Sequence, residues 1–307
     1  MLSGDSNVSL VSLVRTDSCE SRYLEKAISD SLNLVGFECL HDIKNVVLKP
    51  NMCYYWDWST GQTTDPKFVS ALIGLIRHKI APDANISIVE SDASAMKCKH
   101  IFKMLGYDKL AEEYDVKLVN LSEDTCEATK VTVNNHPFTV KVPKTIRDAD
   151  LKINVPKIKY AMEEIKITCA LKNIFGCNPY PKKFQYHPRL GEVIVAVNKA
   201  MKFDLCIIDA NTVSGIQPRR LGLVMTSKDP VAIDAAAARI AGVRPRSIKY
   251  LQLAQKEGLG TTSFTARGIS PTYFYQRYPR KNVTKKVMAK AYRLVTRLKL
   301  GKRIGLE

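Results

Sequence analysis

Short β-branched runs alternate with helix-length amphipathic stretches along this chain, and few folds accept that rhythm. Residues 8–14 (VSLVSLV) alternate and read as a strand. Residues 18–36 read as a helix with Ser18 as N-cap, Glu20 and Glu25 early, and Gly36 as the stop. A buried-type strand at 45–48 follows, then a helix at 66–80 opened by Asp65 at the N-cap and Pro66 at the first turn. The pattern continues with a strand at 86–89, a helix at 99–114 interrupted at Gly106, and a strand at 117–120. Strands spaced by crossover helices build a parallel, doubly wound α/β sheet.

The rhythm breaks at 130–142, where two β-rich runs flank Asn134-Asn135 and predict a hairpin, with His136 a structural residue in its turn. Strands at 151–155, 204–208 and 221–226 follow, with helices at 190–201, 231–241 and 246–256. A chain of 307 residues can bury a sizeable core, and its length predicts two lobes with a cleft between them. The division expected is an α/β lobe at 1–125, a second α/β lobe at 126–265, and a basic amphipathic tail at 266–307.

Charge sets the tail apart. From Pro271 onward there are eleven Lys and Arg and one acid, a net +10 within a total of +17. A helix at 283–298 would gather Val283, Val287, Ala291, Leu294, Val295 and Leu298 on one face and cover the rest with Lys and Arg. Such a helix either docks its apolar face on the body or binds RNA or an anionic membrane surface.

Several strands end in polar residues: Lys49 and Asn51, Glu90 and Asp92, Lys157 and Lys159, Asp209 and Asn211. Ligands of open α/β sheets sit beyond the carboxyl ends of the strands, which raises these residues above ordinary surface charge. The segment 168–187 (TCALKNIFGCNPYPKKFQYH) gathers Lys172, Asn173, Lys182, Lys183 and His187 around Gly176, a combination able to hold an anion and supply a titratable base. The loop 54–58 (YYWDW) holds both tryptophans, as a stacking surface, a lid or a packing contact. Asp229 suits an N-cap, whereas Asp234, in an apolar helix, is a candidate partner for a site lysine.

The stretches VVLKPN with a downstream TDP, IVES, FKMLGY, DLKINVPKIK, TCALKNIFG, IIDA and DPVAIDAAAARIAG together resemble the family called domain of unknown function 362. The resemblance runs over about 46–260 and is most specific at TCALKNIFG and DPVAIDA. It supports a functional role for Lys172 and Asn173 but implies no particular reaction. The family pattern has a histidine after its KIK-like lysines, where this chain reads Tyr160-Ala161-Met162. Some members carry an added ferredoxin-like cysteine module. The eight cysteines of this chain form no C-x-x-C pair, so no iron–sulfur cluster is expected. The order of lysine, glycine turn and histidine also resembles the nickel-pincer lactate racemase family, which places histidines and lysines in a cleft between two α/β lobes.

No apolar run reaches transmembrane length and no secretory leader opens the sequence, so a cytoplasmic protein is expected. Neither G-x-G-x-x-G nor a P-loop occurs, and no cofactor is named by any motif. Asp209, Asp234, Glu90 and Asp92 could supply oxygen ligands, but no spacing calls for a metal. The expectation is an enzyme binding a small carboxylate or phosphate. Lys49, Lys159 and Lys172 would neutralise it, Asn51 and Asn173 would orient it, and His187 or Asp209 would move a proton, so the catalytic candidates are His187, Asp209 and Lys172. The alternative is a non-catalytic protein that binds RNA or an anionic surface through its tail.

Overall fold

The computed structural model describes residues 8–38, 42–52, 54–161 and 165–279. The expected tail helix at 283–298 lies outside them. The first strand, β1 (Ser9–Arg15), leads into α1 (Ser21–Leu34). Ser18 does not cap that helix: its hydroxyl accepts the Glu20 N–H in a turn, and Glu20 takes the N-cap position. Next come β2 (Asn45–Pro50) and α2 (Pro66–Leu75), capped as expected by Asp65, whose carboxylate accepts the Lys67 N–H. The helix pattern to residue 80 is not all α-helix, because Ile76–Ile80 widens into a π turn closed by the Ala81 N–H on the Ile76 carbonyl. After β3 (Asn85–Glu90), the chain breaks at Gly106 between α3 (Cys98–Met104) and α4 (Tyr107–Tyr114), then enters β4 (Lys117–Asn120).

The hairpin is β5 (Cys126–Val133) and β6 (His136–Pro143), and Asn134 and Asn135 both take positive φ, as a two-residue hairpin turn requires. A short α5 (Lys144–Arg147) precedes β7 (Leu151–Val155). The two-residue strands β8 (Lys159–Tyr160) and β9 (Ile167–Thr168) pair with each other ahead of α6 (Ala170–Phe175). Then follow α7 (Leu190–Met201), β10 (Leu205–Val213), β11 (Arg219–Ser227), α8 (Pro230–Ile240) and α9 (Lys249–Lys256). The described chain closes with β12 (Phe264–Gly268) and α10 (Pro271–Arg277).

Eight strands form one mixed sheet in the order β12-β1-β11-β10-β7-β2-β3-β4. Within this sheet, among the described residues, only β11 runs against its neighbours and every other pairing is parallel. Val46 and Leu48 face a core built with α1 and α2, whereas Val47 between them faces the opposite core built with α6 to α8, the alternation expected of a strand buried on both sides. From β2 the chain steps outward through β3 to β4, then returns to lay β7 on the other side of β2. The carboxyl ends of β2 and β7 thus flank a topological switch point, where open α/β sheets bind ligands.

The last strand, β12, pairs parallel to β1, and α10 buries Phe274, with Tyr278 behind it. Tyr278 also donates a hydrogen bond from its hydroxyl to the Ile158 carbonyl. Residues 264–279 therefore belong to the packed body.

Candidate functional site

Lys49 closes β2 with its side chain turned into the protein, 1% exposed. Burying an ammonium requires a partner, and the carboxylate of Glu90, at the end of the neighbouring β3, accepts from Lys49 Nζ at 2.8 Å. The Pro50 carbonyl takes a second hydrogen bond from the same ammonium at 2.7 Å. A methyl group at Gly176, just after α6, would lie 3.4 Å from Lys49 Cε and 2.8 Å from the Asn173 carbonyl oxygen. The glycine thus lets the Lys49 side chain pass the end of the helix.

Beside that ion pair runs a chain of amides. Asn154 of β7 accepts on Oδ1 from Asn173 Nδ2 (2.8 Å), which also donates to the Lys49 carbonyl (3.0 Å). Asn173 Oδ1 accepts from Asn51 Nδ2 (2.8 Å), and Asn51 Oδ1 accepts from Lys159 Nζ (2.6 Å). Lys159 Nζ donates as well to the Gln62 carbonyl at 3.0 Å. With its amide oxygens and nitrogens assigned by these partners, the series fixes α6, the ends of β2 and β7, and β8 relative to one another.

The helix carrying Lys172 and Asn173 is only six residues long and is held at its start. Asp234, fully buried in α8, accepts the Ala170 N–H at 2.6 Å and the Leu171 N–H at 3.3 Å. Burial pushes the Asp234 carboxyl up to about 7, against the lowering effect of those two N–H groups. Asp234 therefore serves the N-terminus of α6 and pairs with no site lysine. Asp229 caps α8 through the Val231 and Ala232 N–H groups, as its sequence position predicted.

Lys183 lies beside the Lys49–Glu90 pair and Gly176. Its ammonium donates to Ser91 Oγ, to the Asp92 carbonyl at 3.1 Å and to the Gly176 carbonyl at 3.0 Å. Burial pushes its pKa below the ordinary lysine value, opposed by the negative charge of Glu90. The three acceptors match the three N–H groups of an ammonium and tie the 183–189 segment to β3 and α6.

The Lys49–Glu90 pair, Lys183 and the Asn173, Asn51 and Lys159 members of the amide chain line one pocket of about 340 Å³. Lys49, Asn51, Lys159, Lys172, Asn173 and His187, six of the seven residues predicted as site candidates, are in its wall. Lys183 and Glu90 join them; Lys183 was legible as part of the lysine-rich loop but had no role assigned. Lys172 lies with Nζ 5.6 Å from the centre of the Phe175 ring, and His187 is exposed. Asp209 is not in the wall. It is fully buried, accepting from Lys157 Nζ and the Asp65 N–H, each at 3.0 Å, and from the Asn211 N–H at 3.1 Å. Asp65 faces that charge, and burial together with Asp209 pushes its carboxyl up to about 6.

The loop with both tryptophans reaches the pocket through Tyr54. It is anchored where Gly61 passes the end of β10: a methyl group there would fall 2.3 Å from the Val213 carbonyl carbon, and φ is +69. Among the described residues, no three His, Cys, Asp or Glu side chains sit together as a metal site would need, and no helix is long and apolar enough to cross a membrane.

Fold and site together define an α/β protein with a lysine-lined pocket at the switch point of its sheet. Residues 46–239 match the model of the domain of unknown function family DUF362, and the chain belongs to that family. The thylakoid-associated protein sll1697 of Synechocystis sp. is 28% identical over 272 residues, 83% of this chain and 82% of that protein. The lactate racemase apoprotein of Thermoanaerobacterium thermosaccharolyticum is structurally similar, with a TM-score of 0.46 and 13% identity over 79% of this chain. The alignment spans 60% of the racemase chain.

Proposed function

We propose that the pocket binds a small organic or inorganic anion, a carboxylate or phosphate, and that the protein is an enzyme acting on it. One observation carries this reading: four lysines, Lys49, Lys159, Lys172 and Lys183, converge on one pocket at the carboxyl ends of the central strands. Concave sites with few, converging polar groups are where ligands bind, and lysine suits phosphate and carboxylate as a point charge. The walls come from both halves of the sequence: Lys49, Asn51 and Glu90 from 1–125, and Lys159, Lys172, Asn173, Lys183 and His187 from 126–265. Both halves also share one sheet, so the pocket sits at the carboxyl edge of that sheet. Lys172 and Lys159 neutralise the anion, Asn51 orients it, Asn173 holds Asn51 in place through the amide chain, and His187 in the pocket wall is the candidate proton carrier. Calorimetric titration with acetate, lactate and phosphate tests it. Millimolar or tighter binding that is weakened at least tenfold in a Lys159→Met/Lys172→Met variant is the expected result. The absence of binding by all three anions, or binding indifferent to both substitutions, sinks it.

A second reading rests on the net +10 of residues 271–307. Basic segments gain about 1 kcal/mol per Lys or Arg at an anionic lipid surface, and the relative sll1697 is described as thylakoid-associated. The expected outcome is salt-sensitive sedimentation with vesicles containing anionic lipid. Truncation after Pro279, which keeps the buried Phe274 and Tyr278, should abolish it. Retention of RNA but not of vesicles would transfer the tail's role to nucleic acid.

A further inference from the structure

We infer that the ligand of this pocket is an amphiphilic anion, its charged head on the lysines and an aromatic ring at the mouth. The inference rests on the anion-binding reading and narrows it to a substrate class. The same pocket that carries the lysines is walled by Met52, Tyr54, Met96, Phe175, Phe184 and Leu190. Met52, Met96, Phe175 and Leu190 are buried, so their surfaces define a fixed apolar wall. Tyr54 and Phe184, by contrast, stand 50% and 60% exposed.

Large aromatic groups left in water at the rim of a charged cavity forfeit burial that a ligand can restore. Phosphate or lactate would meet only the lysines and leave the apolar wall wet. A pocket of about 340 Å³ has room for a body attached to the anionic head. Two methionines and two free aromatic edges favour a ring over a straight alkyl chain, because sulfur and ring edges make directional contacts with an aromatic face. The geometry also sets the direction of entry. The amide chain and Lys49 lie at the carboxyl ends of β2 and β7, so the head group goes in first and the ring is held between the 54–58 loop and the 183–189 segment.

Paired titrations test this: acetate against phenylacetate, and phosphate against phenyl phosphate, on the wild-type chain and on a Tyr54→Ala/Phe184→Ala variant. Both side chains are exposed, so the variant should fold, which its melting curve checks. The aromatic member of each pair is expected to bind about tenfold more tightly, the equivalent of one or two good aromatic contacts. In the variant that advantage should shrink to less than about threefold, with acetate and phosphate binding unchanged. Equal affinity within each pair overturns the inference while leaving the anion site standing. An aromatic advantage that persists undiminished in the variant overturns it as well. If neither head group binds in any form, the anion site falls and this inference with it.

Discussion

Gly176 shows how much one missing methyl group can decide. Gly176→Ala would drive a carbon to within 2.8 Å of the Asn173 carbonyl oxygen and 3.4 Å of Lys49 Cε, and the first of these contacts is backbone. Overpacking of this kind costs about 1–3 kcal/mol, to be read as a lower urea midpoint at unchanged slope. Asp65 gives a second prediction, through pH. Its folded pKa of about 6 lies above the ordinary 3.8, so the folded protein holds the proton more tightly between those values. Stability from this group is therefore present below about pH 4 and is lost as pH rises through 6. In Asp65→Asn the melting temperature should fall less steeply between pH 4 and 7 than in the unaltered chain; identical slopes would refute the assignment. The caps made by Asp65 and Asp229 were legible in the sequence because a cap and its recipient are two or three residues apart. The partners of Asp209 and Asp234 were not, because Lys157 and Ala170 lie 52 and 64 residues away and only the folded sheet brings them together.

At the scale of elements, α6 is too short to stand alone, and isolated helices below about 12 residues are marginal in water. It depends on Asp234 for its first turn and on the amide chain for its last. Asp234→Ala should leave the Ala170 and Leu171 N–H groups buried without acceptors, at about 1–3 kcal/mol each. The loosened α6 should also misplace Lys172 and Asn173, so anion affinity should fall further than in a variant of equal stability loss elsewhere, which calorimetry on both variants would show. Strands buried on both faces, such as β2, β3 and β7, were readable to within about two residues because continuous β-branched runs have few alternatives. The edge strand β12 was not, since Phe264–Gly268 is half exposed and carries no apolar period, and the two-residue β8 and β9 are too short to leave one.

Across the whole molecule, the sheet depends on chain that follows residue 270. Deleting 271–307 would strip Phe274 and Tyr278 from the core, and loss of a large buried aromatic costs about 3–5 kcal/mol. Thermal melting of that truncation should fall sharply, and Phe274→Ala alone should reproduce a large part of the loss. The antiparallel insertion of β11 between β10 and β1 has another side, visible only in time. Ser12 of β1 bonds Thr226, 214 residues further along. At a synthesis rate of about 5–20 residues per second, the first strand emerges from the ribosome roughly ten to forty seconds before its partner. Throughout that interval a strand with Val11 and Leu13 destined for full burial has no native neighbour on either edge. The nascent chain thus carries an adhesive segment long before its partner, and its yield in the cell should depend on what shields that segment until β11 arrives.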